Sequence, residues 1–173
     1  YSVSKREDKL TRSRAPAPFY YGDAYTNADI PGTLLSDMHS HYTCVYLRQP
    51  FVLPNPATIT ELFLREQCDD GFIAWINGVE VFRSTQMPAG TPAWNTAAIS
   101  HESSNGAAPN YGTLQDISAA ALSAIHNGTN VLAIQVHNAG LNSSDLSFNP
   151  RLVDRTTTIG GGSEQLTNGT FNS

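Results

Sequence analysis

The run "CDDGFIAWINGVEVFR" at 68–83 constrains this chain more than any other. Asn77-Gly78 separates two β-rich arms. Both central residues of a tight two-residue hairpin need positive φ, which Asn and Gly adopt at little cost. In the first arm Phe72, Ala74 and Ile76 share one face, with Ile73 and Trp75 on the other. A strand apolar on both faces is central in its sheet, or carries an aromatic with another use. The neighbouring runs also alternate. Val45, Leu47 and Phe51 share one parity, and Cys44, Tyr46 and Arg48 the other. Leu62 and Leu64 alternate with Glu61, Phe63 and Arg65. Leu132, Ile134 and Val136 face one way, and Val131, Ala133, Gln135 and His137 the other. Period two over these lengths predicts strands with one face on a shared core, and a closing strand is expected from Phe148 to Thr158.

Only "DISAAALSAIH" at 116–126 reads as a helix, capped by Asp116 or Ser118 and ended at Asn127-Gly128. The connection 84–115 is long and rich in Pro, Gly, Ala, Ser and Asn, and loops of that length are usually functional or disordered. Few helical signals, short strands and many turns predict an all-β fold, an antiparallel β-sandwich of jelly-roll type over 19–158 with one short helix. Residues 1–18 are polar, charged and then Pro-rich, and are expected to be a linker or arm. Residues 159–173 open with a Gly-rich linker. The chain begins at Tyr1, and the expectation is a piece of something longer.

Charged residues are 14% of the chain and the net charge is −5, with no basic stripe, so nucleic acid is not an expected partner. No apolar run reaches the roughly 18 residues of a membrane span. Abundant Thr, Ser, Asn and Gly with scarce Lys fit a secreted or cell-surface β-rich domain. The motifs G-x-S-x-G, G-x-G-x-x-G, P-loop and H-E-x-x-H do not occur, and no catalytic role is expected.

"DDGFIAWINGVEVFR", followed at a distance by "NGTNVLAIQVHN", resembles the galactose-binding-like jelly rolls, as does the upstream "PGTLLSDMHSHYTCVYLRQPF". Such domains occur in secreted bacterial multidomain proteins and as accessory domains of glycoside hydrolases. The resemblance covers about 19–153 and implies a sandwich whose role is sugar binding or purely structural. It further implies that "DDG" introduces the hairpin, its carboxylates accepting hydrogen bonds from loop backbone and sometimes from a ligand. It also implies a structural calcium ion. The final "SEQLTNGTFNS" resembles the opening strand of a further carbohydrate-binding module.

Asp69 and Asp70 are adjacent and would enter a strand on opposite sides, which suits a structural turn, or a ligand or metal contact, better than paired acid–base catalysis. An exposed indole stacks on the apolar face of a pyranose. Trp94, in the long connection, is the better exposed candidate, and Tyr111 is similar. Trp75 is either buried beneath that connection or a platform. The expected carbohydrate contacts are therefore Trp94, Trp75, Asp70, His137, Asn138 and Tyr111. Tyr46, Arg48, Arg65, Gln135 and His137 would form a polar-aromatic face if their strands were neighbours, or else a solvated face. Asp23, Asp29 and Asp145 lie in loops with oxygens suited to Ca²⁺. His39 and His41 form H-x-H without an evident third ligand. Cys44 and Cys68 have opposite core parities, which favours two unbridged thiols, although a bulge would let them meet. Two functions are open: a carbohydrate-binding accessory module, or a structural, self-assembling extracellular unit whose tails are held by strand addition.

Overall fold

The computed structural model describes residues 2–4, 13–22, 32–103 and 112–156. Its strands, in chain order, are β1 (Ser2–Ser4), β2 (Ser13–Arg14), β3 (Phe19–Tyr21), β4 (Thr33–Leu34), β5 (Cys44–Leu53), β6 (Ile59–Asp69), β7 (Gly71–Ile76), β8 (Val79–Arg83), β9 (Gln115–Asp116), β10 (Gly128–His137) and β11 (Leu146–Thr156). A short α-helix, α1 (Ser118–Ala124), the only one among the described residues, precedes β10. The strands form a six-stranded sheet, β2-β1-β5-β10-β7-β8, and a five-stranded sheet, β4-β3-β11-β6-β9. Pairing is antiparallel except for β3 with β4. The chain is thus an all-β sandwich with one helix, as the alternation predicts.

One apolar cluster joins the sheets. Leu62, Leu64, Leu132, Ile134 and Val136 are each 2% exposed or less. Burying a side chain of that size stabilises the fold by about 1.5–3 kcal/mol. Phe72 stacks on Phe82 at 5.2 Å and tilts against Phe148 at 5.1 Å, tying the hairpin to the facing sheet. The hairpin turn has φ 50° at Asn77 and 87° at Gly78. The Asn77 side chain also donates to Ala124 O (2.9 Å) and Asn130 Oδ1 (2.7 Å), and accepts from Val131 N (2.8 Å).

Three features of the fold bear on the sequence expectations. The helix is shorter than 116–126: Asp116 accepts the Ser118 N–H at 2.9 Å, while the Ser118 hydroxyl accepts the Leu62 N–H of β6. Part of the 1–18 segment is sheet, because β1 pairs with β5 from Ser2↔Arg48 to Ser4↔Tyr46 and β2 pairs with β1. Strands of two or three residues are too short to show a period. The connection after β8 lies over the six-stranded sheet, where Met87 and Ala98 bury Ile73 from outside and Trp75 packs against them. Both apolar faces of β7 are thereby used. The two thiols are not joined by a disulfide. Cys68 lies between the sheets, and Cys44 lies against His137 with Sγ 3.8 Å from Nε2.

Candidate functional site

The chain changes sheets at Asp69-Asp70, and this junction organises one end of the sandwich. Both residues are buried. Asp70 Oδ1 accepts the His101 N–H at 2.7 Å and Oδ2 the Ala139 N–H at 2.6 Å. One carboxylate therefore fastens two loops to the start of the hairpin. The His101 ring donates from Nδ1 to Cys68 O at 3.1 Å, reinforcing the same contact. Hydrogen bonds to a charged acceptor are the strong ones.

Beside this fastening, carboxylate oxygens of Asp69, Glu102 and Asp145 all lie within 4.8 Å of one another, with Asp69 buried, Asp145 half-buried and Glu102 exposed. Asn138, 1% exposed, donates from Nδ2 to Tyr21 Oη (2.7 Å) and Asp145 O (2.9 Å). Its Oδ1 is buried with no hydrogen-bond partner among the described residues, as is the Oγ of Ser103, next to Glu102. The Tyr21 hydroxyl donates to Ser143 O at 2.9 Å. Burial, with the negative charges of Asp145, Asp69 and Asp70, pushes that phenol up to about 12, opposed by the hydrogen bond from Asn138. Gly22, at φ +80°, admits the close passage of the chain, because a Cβ there would strike the Ser144 carbonyl. Three carboxylates this close repel one another, and a hard cation relieves that repulsion. The donors are all oxygens, which suits Ca²⁺ and not a softer metal.

The expected site residues divide among different places. Asp70 and His137 are buried and engaged within the protein, Asp70 by the two loops and His137 by Thr96 O at 2.7 Å. Burial also lowers the His137 pKa, opposed by the hydrogen bond to Thr96. Asn138 stands at the carboxylate cluster. Trp75 faces outward from β7 and is half-buried, while Trp94 is 52% exposed on the loop. Of the calcium candidates, Asp145 joins the cluster, and Asp23 and Asp29 lie outside the described residues, as does Tyr111. Glu102 is the partner that sequence reading did not supply, while Asp69 was weighed there with Asp70 for a ligand or metal contact. Tyr46, Arg48, Gln135 and His137 do lie on neighbouring strands, and Gln135 Nε2 donates to Tyr46 Oη at 3.2 Å. Arg65 belongs to the other sheet. His39 and His41 are exposed in a turn rather than a strand, and the metal-capable group among the described residues includes neither.

Among the described residues, no helix is long and apolar enough to cross a membrane. No protein-family model and no curated protein matches the chain significantly. Several solved structures resemble it over part of its length, among them the following three. An α-L-rhamnosidase from Dictyoglumus thermophilum aligns over 66% of this chain and 11% of its own, at 13% identity and a TM-score of 0.40. An α-L-rhamnosidase from Streptomyces avermitilis, complexed with L-rhamnose, aligns over 70% and 9%, at 21% identity and a TM-score of 0.38. The PA14 domain of an antifreeze protein aligns over 77% and 49%, at 16% identity and a TM-score of 0.35. The chain thus spans about a tenth of each of these rhamnosidases and about half of the PA14 chain.

Proposed function

We propose that this sandwich is a non-catalytic carbohydrate-binding accessory module of a secreted multidomain protein, and that its carboxylate end binds sugar through Ca²⁺. The carrying observation is the convergence of Asp69, Glu102 and Asp145 from separate segments, with one member open to solvent. Asp69, Glu102, Asp145 and the Asn138 Oδ1 would hold the ion. A Ca²⁺ takes six to eight oxygens, so positions remain for vicinal hydroxyls of a glycan. Asp70 fixes the two loops that carry Glu102 and Asp145.

Calorimetric titration with CaCl₂, paired with a glycan array in calcium and in EDTA, tests this. Calcium binds, Asp145→Asn weakens it at least tenfold, and the array signals that Asp145→Asn removes are the ones lost in EDTA. Absence of a calcium effect on both heat and array removes the proposal.

One observation favours a second reading, a self-assembling extracellular unit. The segment Ser2–Ser4 already adds as a strand to the edge of β5, and the same pairing made onto a neighbouring copy would link subunits. Size-exclusion chromatography with negative-stain imaging decides: linear or closed oligomers support it, and a monomer at all concentrations removes it.

A further inference from the structure

Strict alternation along β8 would send Glu80 and Arg83, three residues apart, to opposite faces of the sheet. The register instead shifts between Ala74 and Trp75, so that Glu80 pairs with Trp75 and Arg83 with Ile73, leaving Val81 as the extra residue. Both charged side chains therefore stand on the outer face beside Trp75. Bulges of this kind recur next to functional sites, where they re-aim a side chain.

The pair so made is fixed. Arg83 donates from Nε and Nη2 to the two Glu80 oxygens at 2.8 and 2.7 Å, and from Nη1 to Pro88 O at 2.7 Å. The last bond ties the following loop over the sheet. Between them lies a cleft of about 440 Å³, floored by Trp75, Glu80 and Arg83 and rimmed by residues 89–92. Its Trp75 lies about 17 Å along the strand direction from Asp70, at ~3.3 Å per residue.

We infer that this cleft is a second, cation-independent binding site, for a neutral pyranose. The indole is anchored on one side by Ile73, Met87 and Ala98, so its orientation is set before any ligand arrives. An indole face covers the C–H face of a sugar ring. The Glu80 and Arg83 charges cancel, so the cleft offers little attraction to an ion. Each nonetheless keeps hydrogen-bonding capacity. Three of the five guanidinium N–H groups are used, and a carboxylate has about four acceptor positions. Donors and acceptors thus lie side by side, as vicinal hydroxyls require. Gly90 leaves the rim open, because a Cβ there would meet nothing within 4 Å. The volume falls within the roughly 300–1,000 Å³ usual for small-molecule sites. This inference shares with the calcium proposal only the class of ligand.

The test is run throughout in EDTA, so its outcome does not depend on the carboxylate end. Neutral methyl pyranosides and their disaccharides are titrated into ¹⁵N-labelled protein while the indole N–H signals are followed. Trp94→Phe assigns the Trp75 signal. That signal shifts saturably with at least one neutral probe. Trp75→Ala weakens binding by about tenfold or more. Because Trp75 also packs against the loop, Ala89→Trp is the second variant: it fills the cleft from its exposed rim, leaves the remaining amide spectrum native and abolishes the shift. The inference is overturned if no neutral probe moves the Trp75 indole, if the shift survives Ala89→Trp, or if uronate or sulfated probes alone bind.

Discussion

Asp69, Asp70, Glu102, Asn138 and Asp145 come from three stretches far apart in the chain, whereas Trp75, Glu80 and Arg83 come from one hairpin. The first group is assembled by the tertiary fold, and most of its members are buried and bonded to loops. The second is assembled by a single local register shift and lies against solvent. Changes at the buried members of the first disturb the loops they hold, while changes at the solvent-facing members of the second need not.

The largest test of that contrast is Asp70→Ala. It leaves the His101 and Ala139 N–H groups without their carboxylate, and removes two charge-assisted bonds. The expected loss is about 3–4 kcal/mol, read as a lower urea midpoint. A loss below about 1 kcal/mol would break the distinction. Asn77→Ala comes next, at about 2 kcal/mol. It removes three hydrogen bonds to the helix end and β10, together with a residue that tolerates φ 50°. This sharpens the comparison, because the hairpin is local at its cleft but tied to distant chain at its tip.

Glu66 supplies a pH-dependent test on the facing sheet. It shares the inward parity of Leu62 and Leu64, and burial pushes its carboxyl up to about 7 from an ordinary 4.5. Between those values the folded state holds a proton that the unfolded state has released. The group therefore costs nothing near pH 4, and its cost grows as pH rises and is complete above 7. Glu66→Gln should be neutral at pH 4 and stabilising by about 1–2 kcal/mol at pH 8, allowing for partial solvent access. Equal effects at both values would refute the burial account. The smallest effect is expected at the cleft. Glu80→Gln changes stability by less than about 0.5 kcal/mol, since the pair is solvent-facing, while weakening the pyranose contact.

Much of the framework was legible from residues. Asn77-Gly78 announced its turn, and the parity of Leu62, Leu64, Leu132, Ile134 and Val136 placed the core, because a two-residue period has one geometric meaning. Parity also kept Cys44 and Cys68 apart. The cleft was hidden, because "VEVFR" reads as regular alternation and nothing local betrays the extra residue at Val81. The carboxylate cluster was hidden for another reason. Asp69, Glu102 and Asp145 meet only after both loops have been fastened, and a fastening of that kind leaves no periodic trace. Asp70 was legible as an acceptor of loop backbone through the family resemblance, but its two partners were not.

The His137 ring, donating from Nδ1 to Thr96 O, must present Nε2 as an acceptor to the Cys44 sulfur. That thiol is buried, and the ring it meets is held at its other nitrogen by Thr96 of the loop. An alkylating reagent therefore reaches it only through a local opening of the fold. The rate of Cys44 labelling is accordingly a clock for that opening, built into the protein and readable without adding any probe to the cleft or to the carboxylate end.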